Sequence, residues 1–258
     1  MEPTGIRLFD THLHLEPGID DVAALLATAR AAGVGRFLFA GTGLADSRAY
    51  VELAGREPGV VAAVGVHPGD LGEFDGSLEP FRELAQQAGC VAIGEVGLDY
   101  YRDRFPRDRQ REVFRRFLEL AVELKLPALI HGREAMADAE ALLREAAAAG
   151  GRFVLHSFAG TPAEVERFVA LGACFGVSGM VTFAKAENIR AAVAAMPAER
   201  ILLETDSPWL APVPHRGRRN QPAYVAAVAR AVADIKGWSF AEAAARTTAN
   251  AERFFGLA

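Results

Sequence analysis

The sequence predicts an α/β chain folded as a single (β/α)8 TIM barrel over residues 1–258, with a metal site at the carboxyl ends of its strands. Three observations predict it. Short β-rich apolar runs alternate with helix-spaced segments along the whole chain. The runs are almost unbroken in their apolar character, as strands covered on both faces are. No linker, internal repeat or low-complexity tract divides the chain. An open doubly wound sheet is the alternative arrangement of the same pattern.

Taken in order, the strand runs are IRLFDT (6–11), RFLFAG (36–41), VVAAVGVH (60–67), CVAIGE (90–95), PALIH (127–131), RFVLHSF (152–158), ACFGVSG (173–179) and RILLETD (200–206). Between them lie amphipathic segments such as REVFRRFLELAVELK, in which Val113, Phe114, Phe117, Leu118 and Ala121 share one helical face. Thr161, Pro162 and Glu164 form a capping box with proline at the first helical position, and Ser239 with Glu242 forms another. Gly33, Gly89 and Gly172 follow helical patterns, where left-handed caps are expected.

Composition narrows the function. A net charge of −5 excludes a chain-wide electrostatic grip on nucleic acid, so any polyanion contact must be a local basic patch. Cys90 and Cys174 are far apart and each adjoins an apolar run, which predicts buried free thiols and a reducing cytoplasm. The opening MEPTGIRLFD lacks a basic stretch followed by an apolar one, and no window is long enough to span a bilayer, so a secretory signal and membrane contact are not expected. No feature points to an obligate protein partner.

The chemistry lies at the ends of the strand runs. Of six histidines, His12, His14, His67, His131 and His156 close strands, and His215 lies in the loop after the last. His12 and His14 point to the same side of a strand by alternation, beside Asp10. A single strand-end histidine is more often structural than a ligand; the recurrence on successive strands argues for a divalent metal centre. Glu95, directly after an apolar run, is costly to bury without a counter-charge and can offer one oxygen to each of two ions; a buried ion pair with an arginine is the other explanation. Asp99 stands further into that loop, placed to cap, to orient a histidine or to ligate. Arg133 could hold an anionic substrate or pair with Glu134. Glu204 and Asp206 share a face if the last strand continues through them. After the stiffening prolines 208, 212 and 214, His215, Arg216, Arg218 and Arg219 form the densest basic cluster, which suits a phosphate substrate or simply a solvated loop. The run YRDRFPRDRQR mixes in aspartates and reads as a helix start laced with ion pairs.

As a set, DTHLHLE, GVHPGD, GEVGLDYY, LPALIHGRE, LHSFAG and LLETDSPWLAPVPHRGRRNQP resemble, in order across residues 10–222, the signature blocks of the TatD family of metal-dependent deoxyribonucleases. The HxH ending the first strand is shared with the wider amidohydrolase superfamily; ETDSPWLAPVPHRG is the specific block. The resemblance implies one or two divalent ions, Mg2+, Mn2+ or Zn2+, with His12, His14 and Asp206 on the first, Glu95 bridging, and His131 with His156 on the second. It further implies substrate contact or support from His67, Glu204, His215 and Arg216. The chain departs from the family pattern at Gly69, where a second histidine is usual, and at Glu16 and Glu134, where aspartate is commoner. No implied ligand is altered.

The activity implied is hydrolysis of phosphodiester bonds in DNA, with Asp206 as general base and 3'-5' exonuclease action favoured by the small cationic patch. The competing expectation is a metal-dependent amide or ester hydrolase, such as a D-aminoacyl-tRNA deacylase. Many amidohydrolases bridge their metals with a carboxylated lysine, whereas Lys125, Lys185 and Lys236 lie in helical or loop patterns. A barrel that binds without catalysis is disfavoured because every mapped ligand is present.

Overall fold

The computed structural model describes residues 7–16, 18 and 21–257. Eight strands form one sheet in chain order: β1 (Leu8–Leu13), β2 (Val34–Ala40), β3 (Val60–Val64), β4 (Cys90–Asp99), β5 (Ala128–Arg133), β6 (Phe153–Leu155), β7 (Cys174–Val177) and β8 (Ile201–Leu203). Helices stand between them: α1 (Val22–Ala31), α2 (Leu44–Arg56), α3 (Glu79–Ala85), α4 (Arg107–Leu124), α5 (Met136–Ala148), α6 (Pro162–Ala170) and α7 (Glu187–Ala195). After β8 come α8 (Val225–Lys236) and α9 (Phe240–Phe255). Parallel neighbours in sequence order with helical crossovers are the (β/α)8 topology that the sequence predicts. Ile6, in the first predicted run, lies outside the described residues. None of the described helices is long and apolar enough to cross a membrane.

The chain falls into two compact units. The first comprises the described residues up to Leu38, Ser157–Arg167, and the described residues from Cys174 onward. Here β1 is buried along its whole length. Its Thr11 hydroxyl donates to the Leu203 carbonyl at 3.0 Å, and Phe9 meets Phe255 of α9 at 6.0 Å between ring centroids. α9 is capped by Ser239, whose hydroxyl accepts the Glu242 amide, and it ends at Gly256 in the left-handed conformation. Its Asn250 donates to the carbonyls of Ala198 and Ile201, Thr248 donates to that of Arg7, and Glu252 pairs with Arg36 at 3.0 Å. The Thr161–Glu164 capping box forms in both directions.

The second unit comprises Phe39–His156 and Phe168–Ala173. The predicted apolar face of α4 is buried through Val113, Phe114, Phe117, Leu118 and Ala121, with Phe117 edge-on to Phe81 of α3 at 5.2 Å. The basic run that leads into the start of α4 is laced with ion pairs as read from sequence, among them Arg107–Asp103 at 3.7 Å and Arg111–Asp138 at 2.8 Å. β4 is longer than its predicted core. Val96 through Asp99 pair with Ile130 through Arg133, so the strand resumes after an irregularity at Ile93–Val96. Gly97 sits there at φ +147°, and a Cβ would fall 2.0 Å from the His131 carbonyl oxygen. Glycine is what lets β4 lie that close to β5. Cys90 and Cys174 are buried free thiols, and burial pushes Cys90 up to about 12.

Candidate metal centre

In the first unit, His12 is the last residue but one of β1 and His14 directly follows the strand, their Nε2 atoms 3.0 Å apart. Asp206 Oδ1 lies 3.6 Å from His14 Nε2 and 4.0 Å from His12 Nε2. Donor atoms on a tetrahedral ion at about 2.0–2.1 Å are themselves roughly 3.3 Å apart, so these three atoms have the spacing and the N/O chemistry of a ligand set. Both histidines are buried, and Asp206 is at the rim with 13% of its side chain exposed.

The local backbone explains how Asp206 gets there. β8 ends at Leu203, and Asp206 adopts a left-handed φ of +56° on the turn beyond it. Its amide donates to the His12 carbonyl at 2.9 Å, and the Ser207 carbonyl accepts the His14 amide at 2.8 Å. The strand ends before either carboxylate: Asp206 turns to His12 and His14, and Glu204 accepts the Ser157 amide at 2.6 Å. Asp10, which sequence reasoning placed beside the histidines without a role, is fully buried and accepts both the amide and the hydroxyl of Thr205 at 2.8 and 2.6 Å. Burial pushes it up to about 8 against the opposing pull of those hydrogen bonds, so it is largely neutral at pH 7. It ties down the turn that carries Asp206. A buried carboxylate within an apolar run was the readable signal, the same one that marked Glu95.

In the second unit, a single carboxylate oxygen gathers the histidines. Glu95 Oε1 lies 2.8 Å from His131 Nδ1, 3.5 Å from His156 Nε2 and 4.0 Å from His67 Nε2. The Glu95 amide donates to the Gly41 carbonyl at 2.7 Å, which anchors that point of β4. Asp99 Oδ2 stands 3.3 Å from His131 Nε2, and its Oδ1 accepts the Arg102 amide at 2.8 Å. Gln110 of α4, invisible as a functional residue in the sequence, holds the Asp99 backbone by accepting its amide and donating to its carbonyl. Burial acts to raise Asp99, but the hydrogen bonds from His131 and Arg102 and their charges outweigh it and hold the carboxyl well below the usual range. His131 is the counterpart: burial acts to lower it, and its bonds to Asp99 and Glu95 raise it overall.

His67 differs from the other two. The Gly69 amide donates to its Nδ1 at 2.9 Å, so the proton of a neutral His67 sits on Nε2, facing Glu95. With no lone pair free on Nε2, His67 is suited to donate a hydrogen bond rather than to ligate. A Cβ at Gly69 would come within 3.0 Å of that ring nitrogen, so the glycine that departs from the family pattern is also what lets its backbone approach His67.

Arg133 is exposed, lies 3.9 Å over the Tyr101 ring and makes no ion pair among the described residues, Glu134 included. His215 stacks on Tyr224 at 3.7 Å, and Arg216 lies 3.8 Å over Phe183. Arg219 pairs with Glu16.

A (β/α)8 protein whose strand ends present imidazoles and carboxylates at ligand spacing belongs to the class of metal-dependent hydrolases. Comparison with known proteins gives the particular family. The family model described as TatD related DNase matches residues 9–256, and the chain belongs to that family. It is 41% identical over 257 residues to the metal-dependent hydrolase YcfH of Escherichia coli K12, covering 97% of this chain and 96% of the relative. It is 40% identical over 238 residues to the 3'-5' ssDNA/RNA exonuclease TatD of Cronobacter sakazakii, covering 90% of each chain. Among solved structures, the TatD homolog YJJV of Escherichia coli K12 superposes with a TM-score of 0.92 at 31% identity, covering 98% of this chain and 99% of the other.

Proposed function

We propose that this TatD-family hydrolase is a 3'-5' exonuclease cleaving the phosphodiester bonds of DNA. His12, His14 and Asp206 would hold one divalent ion, and Glu95, His131 and His156 a second. The observation that carries the reading is the loop that presents Asp206: it continues directly into His215, Arg216, Arg218 and Arg219, so a ligand carboxylate and the chain's densest cationic cluster share one short segment. The relative named as a 3'-5' ssDNA/RNA exonuclease supports the polarity and substrate.

Bound divalent ions would lower the pKa of an attacking water and neutralise charge developing on the phosphate. The chain's own residues do the rest. Asp206, partly exposed at the rim, takes the proton as the water oxygen bonds to phosphorus. The bond from phosphorus to the 3' oxygen of the preceding nucleotide breaks, and that oxygen takes up a proton, releasing a 5'-mononucleotide. His67, protonated at Nε2, donates to a phosphate oxygen. Asp99 keeps His131 in one tautomer and orientation by its contact at Nε2. Mg2+ is the activating ion in this reading, Mn2+ substitutes, and the histidine content favours tight occupancy by Zn2+. Arg133, exposed above Tyr101, supports substrate binding, the buried Glu204 supports the site by holding the Ser157 amide, and the two buried free thiols fit a cytoplasmic setting.

The test is nucleotide release from 3'-labelled single-stranded DNA after EDTA treatment, with Mg2+ or Mn2+ added back and Glu95→Gln in parallel. Metal-restored trimming from the 3' end that is lost in the variant is the expected result. Intact DNA under every ion, with metal shown to be bound, would overturn the reading in favour of an amide or ester hydrolase such as a D-aminoacyl-tRNA deacylase.

A further inference from the structure

Among the described residues, the large apolar side chains left exposed are Tyr101, Trp209 and Val213, and the latter two lie on the loop that follows Asp206. Trp209 is 54% exposed, yet it is firmly set. Its amide donates to the Asp206 carbonyl at 2.9 Å, its carbonyl accepts from the buried Asn220 side chain, and its indole sits edge-on to the His14 ring at 5.3 Å. An indole fixed at its base and open on its face loses little entropy when it stacks on a flat partner. In the same loop, Arg216 covers Phe183 and Arg219 pairs with Glu16, whereas Arg218 makes no ion pair among the described residues and is exposed.

We infer that Trp209 is a nucleobase-stacking subsite, which holds a base of a single strand beside His14 while Arg218 meets the strand's phosphates. The inference rests on the nuclease reading and deepens it. It requires an unpaired base, because a base within a duplex presents no free face to an indole. It also accounts for an exposed tryptophan next to a ligand histidine, which burial energetics alone would disfavour.

The experiment uses the full chain with Trp238→Phe, which leaves Trp209 as the single tryptophan reporter. Fluorescence is titrated in Mg2+ with a cleavage-resistant phosphorothioate oligothymidylate and with an abasic strand of equal length and charge. The expected result is quenching by the thymidylate strand and not by the abasic one. Trp209→Ala should weaken thymidylate binding by roughly tenfold or more, measured by anisotropy of a labelled strand, and Trp209→Phe should restore most of it. Both variants should melt with the parent, which separates a lost stack from a lost fold. Equal quenching by both strands, or thymidylate binding unaltered by Trp209→Ala, overturns the subsite even if the parent trims DNA. A parent that binds and cleaves neither strand overturns the nuclease reading and the subsite with it.

Discussion

The two units carry ligand groups assembled on opposite plans. In the first, two imidazoles face each other at 3.0 Å and a carboxylate approaches from a left-handed turn beyond its strand. In the second, the carboxylate is the centre: Glu95 sits within a strand, and His67, His131 and His156 are disposed around one of its oxygens. Their supports differ as well. Asp10 is a largely neutral carboxyl that restrains backbone, whereas Asp99 is a strongly acidic one that restrains a side chain. The turn-borne carboxylate is partly exposed to water, whereas the strand-borne one is buried among imidazoles.

The sharpest test of this contrast sets Glu95→Gln against Asp206→Asn. Replacing Glu95 should cut turnover by more than the roughly 10–100-fold typical of losing an outer partner, with a parallel fall in metal per chain by elemental analysis. Asp206→Asn should lower turnover by roughly 10²–10⁴-fold, the range of a lost general base, while metal is retained through His12 and His14. Asparagine also tolerates the left-handed backbone, so melting should be unchanged. If the asparagine variant lost the metal and the glutamine variant kept it, the assignment of roles would be reversed.

A smaller effect is expected at Asp99→Asn. Removing the charge that fixes His131 should weaken metal affinity by roughly 10–100-fold in chelator competition, and an unchanged affinity would show that the contact is incidental. The mildest effect concerns Asp10. Its folded value, raised by burial to about 8, lies above its ordinary value, so its contribution to stability is complete below that ordinary value and is lost as pH rises through about 8. The metal-free parent should therefore lose melting temperature between about pH 4 and pH 8 through this group. Asp10→Asn, neutral throughout, should flatten that decline in scanning calorimetry, and an identical slope in both proteins would remove Asp10 from the account.

Much of this was legible in the residues, for reasons that also mark the limits. All eight apolar runs became strands because parallel strands covered on both faces carry a compositional signal that needs no partner to be read. Strand ends were less readable. The runs at 152–158 and 200–206 promise longer strands than β6 and β8 because Ser157 and Asp206 turn left-handed without being glycine. Histidines announced themselves by position, whereas Gln110, Thr205 and Trp209 act through hydrogen bonds and exposure that exist only once the chain is folded.

The path of the chain through the two units sets a timetable for synthesis. Residues 39–156 hold Glu95 and its histidines in one uninterrupted stretch, whereas Asp10 and the Thr205 turn it secures lie 195 positions apart. At about 5–20 residues per second, a ribosome needs roughly 2.5–10 s after His156 to add Asp206 to the chain. A nascent chain halted before β8 therefore has every residue around Glu95 already synthesised, whereas the carboxylate that faces His12 and His14 is not yet made.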